Sequence, residues 1–129
     1  MTAELMYLVW SVALTFVLVL IAVSGATLEV GLPKLAGNRE HMPEMTGWAG
    51  RAVRTHRNML ENLPLFAALV LVGQAAGVHN AMTLLGAQLF FWGRVGFAVI
   101  YLAGIPWLRT VAWAVSVAGM LLIFLQLVG

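Results

Sequence analysis

Arg51, Arg54, Asn58 and Glu61 follow one another at intervals of three, four and three residues. At about 100° per residue of a helix, this spacing keeps all four within a stripe roughly 80° wide. Two guanidinium groups, an amide and a carboxylate on one face can hold an anion through charge-assisted hydrogen bonds and a cation through the carboxylate. A second set, Arg94, Phe97 and Tyr101, has intervals of three and four. Arg109 follows Pro106 closely, which puts a cation in the first turn of a helix, where it opposes the macrodipole. Beside the free backbone N–H groups of that turn it makes a site for an anion, and a thiolate is one such anion. Plainer readings stand beside these. Arg51, Arg54 and Arg109 also fit as helix-start arginines that snorkel to lipid phosphates, and Tyr101 as an interfacial aromatic like Trp48 and Trp107.

The elements that carry these residues belong in a membrane. Of 129 residues, 62% are hydrophobic and 9% charged, against about a quarter charged in a soluble domain. Allowing about 20 apolar residues per crossing, the chain reads as one all-α integral membrane domain over 1–129, an antiparallel bundle of four helices with spans near 5–28, 58–78, 82–105 and 107–128. The first run is too long for a secretory leader's apolar core and has no Lys or Arg before it, so it stays as the first helix. The segment 46–62 is polar and free of proline, which predicts one helix running from water into lipid with Thr46 as its N-cap. The stretch 29–45 holds Gly31, Pro33, Gly37, Asn38 and Pro43 and reads as the one real loop. Five of the seven Lys and Arg residues (Lys34, Arg39, Arg51, Arg54, Arg57) lie between the first two spans. The positive-inside rule therefore puts that loop in the cytoplasm and both termini outside it, in the periplasm for a bacterial inner membrane. Tyr101 and Arg109 then approach the same cytoplasmic surface.

Arg94 sits about 16 Å inside the end of its span. A cation at that depth needs an acidic partner, and Glu61 is the best candidate in the sequence, either as a structural ion pair or as a pair open to a ligand's charges. Pro64 should kink the second helix near this site. Gln74, Gln88 and Gln126 lie within spans and suit bonding between helices. His41, His56 and His79 lack the spacing of metal ligands, and no nucleic-acid footprint is present. The chain has no cysteine, so thiol chemistry here requires a bound thiol.

The segment from Arg51 through Arg54, Arg57, Asn58 and Glu61 to Pro64 resembles the second-helix signature of the membrane-associated proteins in eicosanoid and glutathione metabolism, the MAPEG family. Gly93-Arg94, Phe97, Tyr101-Leu102 and Leu108-Arg109-Thr110 are similar to the third- and fourth-helix signature of its prostaglandin E synthase relatives. The resemblance implies a homotrimer with active sites between subunits, open to the cytoplasm and the bilayer, that binds glutathione as co-substrate. By position, Arg51, Arg54, Asn58, Glu61, Arg94 and Tyr101 match glutathione-holding residues, and Arg109 matches the arginine that stabilises the thiolate. Phe97 stands where catalytic relatives carry Tyr or His, so one hydrogen bond to glutathione is absent. Lys34 or Arg39 is the nearest counterpart to a basic residue that some relatives supply from the end of the first helix.

The resulting expectation is a glutathione-dependent transferase or peroxidase that acts on lipophilic electrophiles or lipid hydroperoxides. The alternative is a non-catalytic trimeric bundle of the same fold that binds membrane lipids or scaffolds a partner. Asn58, Glu61 and Tyr101 favour the first, because a lipid headgroup site needs only the cations.

Overall fold

The computed structural model describes residues 1–37 and 43–129. Five helices follow in order: α1 (Ala3–Val30), the short α2 (Leu32–Ala36), α3 (Gly47–Ala76), α4 (Ala81–Ala103) and α5 (Pro106–Val128). All but α2 are long and apolar enough to cross a bilayer. Arg39 and His41 lie outside the described residues.

Each boundary has a local cause. The Thr2 hydroxyl accepts from the Leu5 N–H at the start of α1. Asn80 and Thr83 form a reciprocal capping box at the start of α4, which satisfies two orphan donors at once. Gly104 ends α4 at φ 82°, a left-handed conformation that other residues adopt at a cost, and Pro106 opens α5 where its missing N–H is not needed. α3 runs as one helix from the basic segment through Pro64.

One expectation is corrected, and a second holds with a different side-chain partner. The stretch 29–45 is not all loop, because 32–36 forms a helical turn with Pro33 near its start and buries Leu35. Thr46 is the N-cap residue of α3, but its side chain makes no capping bond there. Its hydroxyl donates to the Glu29 carboxylate at 2.5 Å, and its backbone N–H donates to both carboxylate oxygens at 3.0 Å. The end of α1 thus supplies the negative charge that the positive end of the α3 dipole favours.

α1 packs on α3 and α4, and α5 packs on α4 and α3. α4 is the central helix and the most deeply buried of the four spans. Phe66 and Phe90 stack at 4.0 Å between centroids in the core, with Leu18, Met59 and Ile123 around them. α4 and α5 meet at Gly86 and Gly119, where a Cβ on Gly86 would lie 2.5 Å from the Gly119 carbonyl oxygen. Only a bare backbone permits that approach. Trp10, Phe16, Trp92 and Val99 point outward and exposed, as apolar side chains do where lipid replaces water.

The end where α1 finishes gathers Arg51, Arg54 and Arg109; at the opposite end neutral and acidic side chains tie helices together. Thr83 donates to Glu4 at 2.9 Å, Thr2 to Gln74 at 3.4 Å and Asn80 to Gln126 at 3.1 Å. Gln74 and Gln126 therefore bond between segments, the role read for them from the sequence.

Candidate functional site

The basic end collects the start of α3, the end of α4 and the start of α5. Arg54 Nε donates to the Tyr101 hydroxyl at 2.9 Å. Arg109, half-buried in the first turn of α5, places its guanidinium over the same ring at 4.6 Å from the centroid. Arg51 Nε donates to the Leu102 carbonyl at 3.1 Å, using one of the last carbonyls of α4, where the dipole favours a cation. Its guanidinium carbon lies 3.6 Å from where a Cβ on Gly104 would stand. Three guanidinium groups from α3 and α5 thus converge on the last turn of α4. Tyr101 supports two of them, Arg54 and Arg109, rather than standing as a belt aromatic facing lipid.

A second cluster lies deeper. Arg94 is 1% exposed. One of its terminal nitrogens, Nη2, donates to Asn58 Oδ1, and the other, Nη1, reaches Ser116 Oγ at 3.5 Å. The guanidinium lies 4.5 Å over the Phe97 ring, and among the described residues Nε has no hydrogen-bond partner. The expected pairing with Glu61 is not what forms. Glu61 is exposed, and among the described residues it takes no hydrogen bond. The reason is angular. One turn along α3, Glu61 stands about 60° round from Asn58, so Asn58 faces the interior at the depth of Arg94 and Glu61 faces out. The predicted stripe is real, but it splits into Arg51 and Arg54 against Leu102 and Tyr101 at the end of α4, Asn58 inward, and Glu61 at the surface.

Phe97 gains an explanation that its comparison with relatives did not suggest. It is 4% exposed, its ring lies 5.3 Å from that of Tyr101, and its face carries Arg94. A desolvated cation–π contact of this kind contributes about 2 kcal/mol.

On the far side of α3, a cleft of about 750 Å³ opens toward α1 and α2. Val19, Ala22 and Leu35 wall it, and Arg54, His56 and Arg57 line its α3 edge. Arg54 therefore borders both the cleft and the Tyr101 cluster. Lys34 is exposed on α2. Sequence reasoning missed Ser116, Asn62 and Arg57 as members of these arrangements. Asn62 was legible in principle, since it follows Asn58 by four positions and so shares its face.

The sequence model of the MAPEG family matches residues 5–129, nearly the whole chain. The chain belongs to the MAPEG family. MAPEG proteins are membrane proteins of glutathione-related enzyme families, and the four apolar helices of this MAPEG chain make it an integral, multi-pass membrane protein. No curated protein and no solved structure matches the chain.

Proposed function

We propose that this chain is a glutathione-dependent transferase or peroxidase, working as a homotrimer with its basic end in the cytoplasm, on lipophilic electrophiles or hydroperoxides that arrive from the bilayer. The observation that carries the reading is the convergence of Arg51, Arg54 and Arg109 on the last turn of α4 at one membrane face, Arg54 and Arg109 on Tyr101 and Arg51 on the Leu102 carbonyl. Glutathione brings two carboxylates, one ammonium and a thiol. Guanidinium groups suit the carboxylates, and exposed Glu61 suits the ammonium. Arg109, whose side chain is held by the Tyr101 ring and, among the described residues, by no carboxylate, has a positive charge left to stabilise a thiolate.

In conjugation, the thiolate sulfur forms a bond to an electrophilic carbon while the bond from that carbon to its leaving group or epoxide oxygen breaks, and the released anion takes a proton. In peroxide reduction, the sulfur attacks one oxygen of the O–O bond and the alcohol leaves. A second glutathione then converts the sulfenic acid to disulfide and water. Both routes need the thiolate, because a free thiol with pKa about 8.5 is mostly protonated at neutral pH.

One observation favours a second reading, a non-catalytic lipid-binding or scaffold bundle. The cleft between α1 and α3 joins apolar walls to Arg54 and Arg57, as a lipid chain and headgroup require. Asn58 and Glu61 count against it, since a headgroup phosphate calls for cations alone.

Calorimetry of glutathione binding to detergent-purified protein separates the two. Binding that is lost in Arg51→Ala and Glu61→Ala but largely kept in Arg109→Ala supports a clamp with a separate thiolate stabiliser. A folded parent that binds lipid but not glutathione overturns the transferase reading.

A further inference from the structure

Arg94 is a buried cation whose partners are all neutral, and that makes it a constraint on its neighbour. A guanidinium carries only donors, so the atom of Asn58 that faces it is the amide oxygen. The same oxygen accepts from Asn62 Nδ2 at 3.2 Å, and Asn62 also donates to the Asn58 backbone carbonyl at 2.8 Å. A carbonyl oxygen has two lone pairs, and both are now used. Rotating the amide by half a turn would set N–H against N–H on two sides, leaving buried donors on Arg94 and Asn62 without acceptors. On the far side of Arg94, Ser116 gives its proton to the Trp113 carbonyl at 2.7 Å, so only its lone pairs face the guanidinium, while the Phe97 ring supports it from one face. The amide NH₂ of Asn58, on the other corner of the same amide carbon, belongs to a half-exposed residue and makes no hydrogen bond among the described residues.

We infer that Arg94, Asn62 and Ser116 are positioning residues that lock the Asn58 amide, so that Asn58 meets its ligand only as a donor. The inference rests on the glutathione reading and changes the part played by Arg94 within it. Arg94 acts through Asn58 and does not grip the ligand. The ligand atom at Asn58 is an acceptor: a carboxylate, an amide carbonyl or a thiolate. Glu61, one turn outward, can take only donors. The two positions therefore discriminate in opposite senses, and a ligand that presents its acceptor to Glu61 and its donor to Asn58 is rejected at both.

Glutathione titration of four variants tests this. Asn58→Asp keeps the shape and gives Arg94 a carboxylate partner, so the fold should hold while affinity drops tenfold or more, because the outward donor has become an acceptor. Arg94→Met should lower affinity to the level of Asn58→Ala, and the Asn58→Ala/Arg94→Met double variant should fall no further. Parent-like binding by Asn58→Asp overturns the donor role. A full additional loss on adding Arg94→Met to Asn58→Ala overturns the positioning role, since Arg94 would then touch the ligand itself. A readout without ligand separates this inference from the glutathione reading. In protein carrying isotope-labelled asparagine, the Asn62 side-chain amide protons should exchange slowly in the parent and faster in Arg94→Met. Slow exchange in a parent that fails to bind glutathione keeps the lock and removes the glutathione reading; equal exchange in both proteins removes the lock.

Discussion

Tyr101 holds Arg54 by its hydroxyl oxygen, at 2.9 Å, and Arg109 by its ring face, at 4.6 Å. The two contacts use different parts of one side chain and can be cut separately. Tyr101→Phe removes only the bond to Arg54, worth about 1.5–3 kcal/mol when one partner is charged and less where water can replace it. Glutathione affinity should fall severalfold with little change in thermal stability. Tyr101→Ala should cost more, because Arg109 loses its support as well. Calorimetry and thermal unfolding of both variants check the order.

The role proposed for Arg109 has a signature in pH. A guanidinium near the sulfur favours the charged thiolate and so depresses the thiol pKa. Removing it in Arg109→Ala should return that pKa toward the free value of about 8.5, moving the acid limb of the activity profile to higher pH. Binding of glutathione should change far less than turnover. The ultraviolet absorbance of the bound thiolate, followed across pH in parent and variant, measures the shift directly.

The crossing of α4 and α5 sets a steric limit. A Cβ on Gly119 would fall against the Gly86 carbonyl oxygen and within 2.8 Å of the Phe90 nitrogen, and backbone cannot move aside as a side-chain tip does. Gly119→Ala should destabilise by about 1–3 kcal/mol, the usual cost of overpacking. Because Arg94 sits on α4 and Ser116 on α5, the variant should also disturb the deep cluster. Thermal unfolding in detergent tests the first effect, and the Asn62 exchange rate tests the second.

The start of α3 depends on a residue from another helix. Glu29→Ala removes the acceptor of the Thr46 N–H and hydroxyl, and should cost about 1 kcal/mol, as loss of a helix cap does. Glu29→Gln keeps an acceptor and should recover most of it. Denaturation of the two variants side by side, with glutathione affinity as a second readout for Arg51 and Arg54, distinguishes a cap from a surface charge.

Much of this organisation was legible in the residues. Four apolar runs broken by glycine, proline and asparagine announce four spans, since lipid leaves backbone groups no partner but the helix itself. The intervals separating Arg51, Arg54, Asn58 and Glu61 announce a shared stripe because helical angle is set by position alone. What the stripe touches was not legible. Pairing Arg94 with Glu61 followed from charge, whereas the fold decided by depth and angle, and an asparagine one turn earlier faced the interior instead. Ser116 carried no signal, because a serine in an apolar run more often bonds to its own helix. The short helix 32–36 was hidden by its glycine and proline neighbours, which read as breakers although Pro33 stands where a helix start tolerates it.

The carboxylate of Glu29 has one more consequence. By gripping Thr46 across 17 positions of sequence, it fastens the two ends of the connection between α1 and α3 to each other. The helix that carries the arginines is then indexed to α1 at that knot, and its register does not depend on the length of chain strung between. Lengthening a closed loop is inexpensive, about 0.6 kcal/mol for each doubling. A change in the length of that connection therefore leaves the placement of Arg51 and Arg54 at the start of α3 to the Glu29–Thr46 knot.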